Sequence, residues 1–372
     1  MTHADRLPWV EARARAAAAG RLLSSEDVSL EDGLGRVLRA DLTATLDIPH
    51  YASAAMDGWA VAGDGPWKLV SGFPLRPGLA IPIVTGGAFP VSGDRVIRSE
   101  LAHVVDGLLV ADQAESRDHV RPAAEEAQAG EVLVTAGTRL SPAHLALAAA
   151  ATVDQLTVAV RPRVGFVFTG DEVVLSGVPA AGQVRDSFGV TLPAILAALG
   201  AQIGGSLRIG DVRDATMAAL RDTDADLIVT TGGTGGSAAD HLRRALEELD
   251  AKLLVAGIAA RPGGPTLLGR LPDGKLVLGL AGNPLAAMLG LLSLIDPLLA
   301  GFTGRVLPEP PVIPVPDSVR RHPELTRLVP VRATLEEVTW TGSAMMRGLA
   351  AADAVLVVPP EGDATVIRLP WG

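Results

Sequence analysis

The apolar positions of this 372-residue chain change their pattern along its length, and the change predicts distinct structural regions. Residues 1–20 have the apolar spacing of an amphipathic helix. We expect the first 50 residues to be mainly helical. From Met56 to about Val120, short apolar runs are separated by Gly and Pro every few residues, which predicts a small β-rich domain.

After Arg161, continuous apolar strands alternate with helical stretches. The runs RVGFVF, DLIVTT and LVLGL have the unbroken apolar character of strands that are buried on both faces. This alternation predicts an α/β domain with a mostly parallel sheet and helices on both faces. Such sheets bind ligands at the carboxyl ends of their strands, which here carry residues 169–172, 232–233 and 282–284.

Two further segments carry local signals. SPAHLALAAAA, at 141–151, begins with a Ser-Pro pair that suits a helix N-terminus. The proline-rich segment PEPPVIPVP, at 308–316, is expected to be a stiff and extended linker. Beyond it, LTRLVPVRATL and AVLVVPP predict a small β-rich terminal domain of about 60 residues.

Composition excludes several classes of function. Apolar residues make up 48% of the chain, enough for sizeable cores, while the net charge of −10 argues against binding to nucleic acid or to an anionic membrane. The absence of cysteine excludes disulfides, thiolate metal sites and cysteine nucleophiles. The N-terminus lacks the order of a signal peptide, and the apolar stretch Lys275–Phe302 is interrupted by Gly282-Asn283-Pro284 and by Asp296. We therefore expect a cytoplasmic protein.

The strongest chemical signal is TTGGTGGSAADH, at 230–241, between a predicted buried strand and a predicted amphipathic helix. Glycines let backbone N–H groups turn toward a ligand, and a helix N-terminus adds partial positive charge, so this segment can hold an anion. The alternative is a plain tight turn. Four glycines within five positions exceed what such a turn needs, which favours phosphate or pterin binding. The spacing matches neither the Walker motif nor GxGxxG, so it indicates neither ATP cleavage nor NAD binding.

A second candidate is Thr169-Gly170-Asp171-Glu172, at the end of another predicted strand. Its carboxylates can hold Mg²⁺ beside a phosphate, because Mg²⁺ favours a few carboxylates together with substrate oxygens. The alternative is a helix N-cap formed by Asp171 or Thr169, and the two interpretations are compatible. The turns at Asp57 and at Thr85-Gly86-Gly87 indicate no specific chemistry by their residue types alone.

Taken together and in order, these segments resemble the molybdopterin molybdenumtransferase family, which includes the bacterial MoeA enzymes and the E domain of gephyrin. Nine segments in register between residues 48 and 360 carry the resemblance. They are IPHYASAAMDGWAV (48–61), IPIVTGGAFPVSGDRVIRSE (81–100), VRPAAEEAQAGEVLVTAGTRL (120–140), RPRVGFVFTGDEVV (161–174), GQVRDSF (182–188), DLIVTTGG (226–233), RPGGP (261–265), LAGNPLAA (280–287) and SAMMRGLAAADAVLVVPP (343–360).

The resemblance implies an elongated homodimer, in which the signature segment of one subunit faces the α/β domain of the other. It also implies a reaction, in which molybdate is inserted into adenylylated molybdopterin while Mg²⁺-dependent hydrolysis of the phosphoanhydride releases AMP. Finally, it implies four domains: an elongated domain of residues 1–50 and 121–160, a small β-rich domain of 51–120, a three-layer α/β domain of 161–305 similar to MogA and MoaB, and a C-terminal β-rich domain of 306–372.

Site residues follow from the resemblance position by position. Those matched to catalytic positions are Asp57, Thr85, Glu126 and Asp240. Those matched to metal-binding positions are Glu172, Asp214 and Asp240. The expected pterin- and phosphate-binding set, which includes the loops discussed above, is Ser53, Thr169, Gly170, Gly232, Gly233, Gly235, Gly236, Ser237, Pro262, Gly263, Pro265, Gly282, Asn283 and Pro284.

The chain departs from the family pattern at several of these positions. The usual loop Gly-Gly-Val-Ser-Val-Gly-Asp-Tyr-Asp lacks its hydroxyl at Gly235 and its first acid at Ala238. The lysine of Pro-Gly-Lys-Pro is Gly264, and the first proline of Leu-Pro-Gly-Asn-Pro is Ala281. Losing a cation that interacts with an oxyanion commonly costs on the order of 100-fold in rate. Arg261, three residues before Gly264, is the nearest cation in the sequence.

Two hypotheses for function remain open at this point. The retained acids favour an active molybdenum insertase. The losses at Gly235, Ala238, Gly264 and Ala281 favour instead a catalytically impaired, gephyrin-like paralogue that serves as a dimeric scaffold for another protein.

Overall fold

The computed structural model describes residues 6–72, 74–235 and 241–371. Its α-helices are α1 (Trp9–Ala19), α2 (Pro142–Ala150), α3 (Phe188–Ala198), α4 (Arg213–Asp222), α5 (His241–Glu248), α6 (Pro284–Thr303) and α7 (Arg347–Ala350). The first strands are β1 (Ser25–Ser29), β2 (Leu42–Thr43), β3 (Ser53–Ala54), β4 (Gly58–Ala62), β5 (Trp67–Leu69), β6 (Leu79–Ile83), β7 (Arg95–Arg98), β8 (Ala102–Val105), β9 (Leu108–Ala111), β10 (Val120–Arg121), β11 (Val132–Val134) and β12 (Gln155–Ala159). The remaining strands are β13 (Arg163–Phe168), β14 (Val173–Val174), β15 (Val184–Arg185), β16 (Gln202–Arg208), β17 (Leu227–Thr231), β18 (Lys252–Val255), β19 (Ala260–Arg261), β20 (Leu267–Arg270), β21 (Leu276–Leu280), β22 (Val312–Ile313), β23 (Thr326–Val331), β24 (Ala354–Val358) and β25 (Ala364–Arg368).

The chain divides into two compact units, which are described separately. Unit 1 comprises Met1–Glu26 and Ala159–Gly372, and unit 2 comprises Asp27–Val158. Of the described residues before position 51, only those of α1 form an α-helix, so the expectation of a mainly helical N-terminal segment is wrong. The alanine-rich run ends at Gly20, and the residues beyond it form short strands and turns instead.

The central sheet of unit 1 has the strand order β16-β13-β17-β21-β20-β18. Strands β16, β13, β17 and β21 are parallel, whereas β20 and β18 join antiparallel, so the sheet is mixed. The antiparallel pairing of β20 with β21 follows from a tight connection, in which Leu271 N–H donates to the carbonyl of Lys275 and Gly274 takes a φ of +95°. A glycine at such a position is typical of a hairpin.

Helix α6 is the main core helix of unit 1. Among the described residues it alone is long and apolar enough to cross a membrane, and 89% of its apolar window is buried inside the unit, which is typical of a core helix. Asp296, which interrupts the apolar stretch of the sequence, lies within α6, and its carboxylate pairs with Arg305 just beyond the end of the helix. Helix α1 packs on α6, and its Trp9 Nε1–H donates to Ser293 Oγ at 3.0 Å.

A second sheet of unit 1 has the order β19-β23-β24-β25-β22. Strand β22 lies within the proline-rich segment and pairs with β25, so that segment is more than a linker. Its two residues are free of proline and lie at the edge of the sheet, where flanking prolines remove no ladder hydrogen bond. Strand β19 pairs with β23, although their first residues, Ala260 and Thr326, are 66 positions apart in the sequence (326 − 260).

Unit 2 contains a six-stranded sheet of order β7-β4-β6-β5-β9-β8. In it, β4 lies between β6 and β7, so the residues just before β4 lie beside those just after β6. Helix α2 begins as the sequence predicts, because the Ser141 side chain accepts from His144 N–H and the His144 ring accepts from Ser141 N–H.

The α1–α6 packing gives a first prediction. A Cβ at Gly301 would overlap the carbonyl oxygen of Ala17 and lie 3.1 Å from the Cα of Gly20. We expect Gly301→Ala to lower the free energy of unfolding by about 1–3 kcal/mol, because overpacked atoms force backbone shifts. Gly205→Ala is the matched control, since nothing lies within 4 Å of its Cβ position, and should change stability by less than about 0.5 kcal/mol. Urea denaturation would measure both, and equal midpoints would contradict the close packing.

Candidate functional site

The loops after β13, β17 and β21 line one cavity of about 620 Å³, here called the glycine-loop cavity. These three strands are adjacent and parallel, so their carboxyl ends meet at one edge of the sheet. The volume lies within the range of small-molecule sites. Of the expected pterin-binding residues, those that line the cavity are Thr169, Gly170, Gly232, Gly233, Gly235, Pro265, Gly282, Asn283 and Pro284.

Two consecutive glycines shape the floor of this cavity. Gly232 and Gly233 have φ values of +83° and +64°, a conformation that favours glycine. A Cβ at Gly232 would lie 2.7 Å from Thr169 Oγ1. That hydroxyl donates to the carbonyl of Thr231 at 2.7 Å, which fixes the first loop against the second. Both conformation and space therefore require glycine at position 232.

Helix α6 directs its N-terminus at the same cavity, since Asn283 and Pro284 line it. The backbone N–H of Ala286 donates to the carbonyl of Ser343, and Asn283 Nδ2 donates to Ser343 Oγ at 3.4 Å. The unsatisfied N–H groups and the dipole of a helix N-terminus favour bound anions. The cavity therefore suits an anionic ligand.

An ion pair that the sequence interpretation missed also lines the cavity. Asp186 Oδ1 accepts from the backbone N–H groups of Phe188 and Gly189 at 3.0 and 3.1 Å, at the start of α3. Its Oδ2 accepts from Arg208 Nη2 at 2.5 Å, and the guanidinium lies 5.3 Å from the ring centroid of Phe168. The Asp-Ser pair before a helix is a recognisable cap signal, but only the tertiary structure brings Arg208 to it.

Two further carboxylates line the glycine-loop cavity. Glu172 follows β13, and Asp211 follows β16. Asp211 Oδ2 accepts from Asp171 N–H at 3.4 Å. Mg²⁺ usually takes one or two protein carboxylates, with substrate phosphates and water completing its ligands. Glu172 and Asp211 fit that requirement, whereas the described residues contain no group of three acidic or histidine side chains that could hold a metal without substrate.

The expected metal ligand Asp214 is not brought to this pair. Asp214 does not line the cavity; it lies exposed on α4, where Arg213 donates to it through Nε and Nη2 at 3.1 Å. That side-chain hydrogen bond, together with the charge of Glu248, raises the pKa of Arg213. The remaining expected residues of the glycine loop lie outside the described residues: Gly236, Ser237 and Asp240, together with the departure at Ala238.

A second cavity of about 530 Å³, here called the Arg6 cavity, borders the first. The two share Pro265, Ala281 and Asn283. Its other walls include the expected residues Pro262 and Gly263. Two arginines, Arg6 and Arg261, line it together with His322.

A third cavity, of about 620 Å³, continues from the Arg6 cavity and shares Arg261 and His322 with it. Arginine side chains dominate its charge: Arg261, Arg320, Arg321 and Arg327. Arg327 is paired with Glu337 at 2.9 Å. Unit 1 therefore concentrates positive charge along connected cavities, although the chain as a whole is acidic.

Unit 2 brings together two residues that are 28 positions apart. The backbone N–H and the hydroxyl of Thr85 both donate to Asp57 Oδ1, at 2.6 and 2.8 Å. The backbone bond, followed by the side-chain bond, holds the pKa of Asp57 below its ordinary value of 3.8. Gly58, the next residue, needs to be glycine because a Cβ there would overlap the carbonyl oxygen of Ile97. Asp57 is therefore an exposed, ionised carboxylate with a fixed orientation.

Ser53 and Glu126 are both neighbours of Arg121 in unit 2. Ser53 is buried and pairs in register with Arg121 between β3 and β10. Arg121 Nη2 donates to Glu126 Oε2 at 3.4 Å and Arg121 Nε donates to Glu125 at 2.7 Å. The Glu126 side chain is about half exposed, at 52%.

Comparison with known families gives two matches. Residues 7–152 match the MoeA N-terminal region (domain I and II), and residues 165–301 match a probable molybdopterin binding domain. Two curated relatives are each 30% identical to this chain. One is the molybdopterin molybdenumtransferase of Nostoc sp., matched over 82% of this chain and 76% of the relative, and the other is molybdopterin molybdenumtransferase 2 of Mycobacterium tuberculosis, matched over 76% of each.

Among solved structures, the chain is similar to a molybdopterin biosynthesis MoeA protein from Pyrococcus horikoshii. The TM-score is 0.75 at 24% sequence identity, over 99% of this chain and 100% of the other. A likeness at this identity establishes the fold. The two family matches and the curated relatives confirm the resemblance inferred from the nine sequence segments.

The Asp57–Thr85 contact gives a second prediction. We expect the Asp57 carboxyl to titrate below 3.8, and Thr85→Val to raise its pKa, because the variant removes one donor to the carboxylate. Since the folded pKa is depressed, the stabilising contribution is complete above the unfolded pKa and is lost as the pH falls through the folded value. Titration of the ¹³C carboxyl resonance by NMR would measure it. Thr85→Ser, which keeps the hydroxyl, is the control; the same pKa in Thr85→Val and wild type would refute this cause.

Proposed function

This chain belongs to the molybdopterin molybdenumtransferase (MoeA) family, the transferases of molybdenum cofactor biosynthesis, and we propose that it inserts molybdate into adenylylated molybdopterin with release of AMP. In this reaction water cleaves one P–O bond of the phosphoanhydride, so that the pterin keeps its own phosphate and AMP leaves. The two dithiolene sulfurs bind molybdenum in place of one oxide of molybdate, which leaves as water with the two thiol protons. The proposal includes the homodimer that the family resemblance implies and a cytoplasmic location.

One observation carries the proposal: the carboxyl ends of three parallel strands and the N-terminus of α6 converge on the glycine-loop cavity. An adenylylated pterin needs a site that is large, partly apolar and favourable to phosphate. The volume of about 620 Å³, the two glycines in left-handed conformation and the helix dipole provide these properties. Arg185 and Arg208 add positive charge to the walls.

Mg²⁺ belongs to the proposal because carboxylates that suit it line the cavity. Glu172, an expected ligand, and Asp211, which the sequence did not indicate, supply two carboxylates, and the phosphates of the substrate supply further oxygens. When bound, the ion neutralises charge that develops on the phosphoanhydride oxygens. Because the described residues offer no complete metal site, we propose that Mg²⁺ enters together with the phosphates.

Asp57 is proposed to act as an ionised carboxylate at neutral pH. The two hydrogen bonds from Thr85 hold one of its oxygens and leave the other for a reacting group. A carboxylate with a depressed pKa is a weak base, so its proposed role is to orient water and to stabilise positive charge rather than to retain a proton.

The scaffold hypothesis is not favoured. The chain matches relatives named molybdopterin molybdenumtransferase over 76–82% of its length. The departures at Gly264 and Ala281 also leave an open cavity lined by cations instead of a collapsed one. A protein that served only as a scaffold would have no need to keep such a cavity.

A direct assay gives the third prediction. The purified chain, incubated with adenylylated molybdopterin, Mg²⁺ and molybdate, is expected to release AMP, which chromatography would quantify. Gly232→Ala should slow this release by about 10-fold or more, because the Cβ would meet Thr169 Oγ1 and displace the loop. AMP release no greater than in a reaction without protein would refute the proposed function.

The metal ligands give the fourth prediction. Glu172→Gln is expected to raise the Mg²⁺ concentration that gives half-maximal AMP release by roughly 10-fold or more, because one carboxylate ligand is lost. Glu247→Gln, an exposed acid on α5, is the matched control. Asp214→Asn decides between the family pattern and the structure. If Asp214→Asn raised the Mg²⁺ concentration for half-maximal AMP release and Glu172→Gln did not, the metal would bind at α4 instead of in the cavity.

A further inference from the structure

The Arg6 cavity contains a cation in an unusual setting. Arg6 precedes Leu7, whose N–H donates to the carbonyl of Gly257 at 3.0 Å and whose carbonyl accepts from Ala259 N–H at 2.7 Å. This pairing holds the start of the chain beside the 257–264 segment. The side chain of Arg6 therefore enters the cavity from a backbone that is fixed in position.

Gly264 leaves the space that the Arg6 guanidinium occupies. A Cβ at Gly264 would lie 2.6 Å from Arg6 Nη1 and 2.8 Å from the carbonyl oxygen of Ala260. The φ angle of Gly264 is not in the left-handed region, so backbone conformation does not require glycine there. The requirement is one of space: a side chain at position 264 would displace the Arg6 guanidinium and would also force the Ala260 carbonyl to shift.

The hydrogen-bonding capacity of Arg6 is not used within the described part of the chain. Its Nε is buried without a partner there, and no described carboxylate forms an ion pair with it. Glu324 lines the same cavity without pairing with Arg6. The guanidinium therefore has no acceptor among the described residues, and anionic oxygen is the strongest acceptor for such a group.

The neighbouring side chains are suited to the same ligand. His322 Nδ1 accepts from the backbone N–H groups of Glu324 and Leu325, both at 3.1 Å. The neutral ring therefore carries its proton on Nε2, where it serves as a donor. Arg261 adds a second guanidinium to the wall. Two guanidinium groups and a ring N–H suit a small tetrahedral dianion.

We propose that Arg6 binds the oxyanion substrate in this cavity, and that glycine at position 264 leaves the space for the Arg6 guanidinium. The proposal rests on the proposed function, which supplies the tetrahedral oxyanion, molybdate. The cation of the N-terminal segment then takes the place of a side chain on the 261–265 loop. The shared wall of Pro265, Ala281 and Asn283 places this oxyanion beside the glycine-loop cavity, where the pterin is proposed to bind.

The test is calorimetric titration of the full chain with sodium molybdate, in buffer without phosphate or sulfate. Arg6→Gln is expected to weaken molybdate binding by about 10- to 100-fold, as for the loss of hydrogen bonds to a charged group. Arg21→Gln, an exposed arginine of the same unit, is the matched control and should bind as wild type does. Equal affinity in Arg6→Gln and Arg21→Gln would overturn the proposal.

The competition for space provides a second arm. Gly264→Lys alone should also weaken binding, because the new side chain collides with Arg6. The double variant Arg6→Ala with Gly264→Lys keeps the net charge of wild type, and the crowding of the Ala260 carbonyl oxygen is the same in it as in Gly264→Lys alone. It should therefore bind molybdate more tightly than Gly264→Lys, and affinity no better than in either single variant would count against the exchange. Thermal unfolding of each variant separates loss of binding from loss of fold.

The two proposals fail in different ways. AMP release by wild type with molybdate affinity independent of Arg6 would overturn this inference and leave the function standing. Molybdate binding that depends on Arg6, without AMP release, would support this inference and refute the proposed function. Titration with phosphate distinguishes the other source of a tetrahedral dianion. Binding of phosphate without binding of molybdate would assign the cavity to a phosphate group and overturn the proposal.

Discussion

The packing of α1 against α6 is the contact on which the arrangement of unit 1 depends. The two helices approach so closely at Gly20 and Gly301 that no side chain fits between them. Trp9 fixes their register through a buried hydrogen bond to Ser293, and Arg13 donates to the carbonyl of the same residue at 2.9 Å. Because α6 begins at the glycine-loop cavity and α1 begins just after the Arg6 cavity, this contact sets the positions of both.

In an acidic chain that binds anionic substrates, the electrostatic potential inside the binding cavities must differ from what the net charge suggests. At physiological ionic strength, charges beyond about 8 Å are largely screened, so a net charge of −10 distributed over the surface has little effect inside a cavity. The groups that line the cavities decide the local sign instead. Arginines dominate the lining of the Arg6 cavity and of the third cavity. In the glycine-loop cavity three carboxylates face two arginines, Asp186 pairs with Arg208, and the helix N-terminus and backbone N–H groups supply the attraction for an anion. The anion-binding character is therefore a property of the site and not of the composition.

The sequence predicted what depends on local pattern. The buried strands β13, β17 and β21, the helices that follow them and the convergence of their loops were all expected, since periodicity and glycine position are local signals. It did not predict the antiparallel edge of the central sheet, the strand within the proline-rich segment or the pairing of Asp186 with Arg208. These depend on contacts between distant segments. The positions of Asp214 and Arg6 relative to the cavities could not be predicted from the sequence for the same reason.

Position 264 shows why the absence of a motif residue is weak evidence that the function is absent. A family motif assigns a cation to a place in the sequence, whereas an oxyanion responds to charge at a place in space. The volume left by Gly264 is reached by Arg6, 258 residues earlier in the chain (264 − 6). The exchange has a physical consequence: a lysine on the loop would depend on that loop alone, while Arg6 depends on the pairing of Leu7 and the docking of α1. Oxyanion affinity in this chain is therefore coupled to the packing of its N-terminal helix.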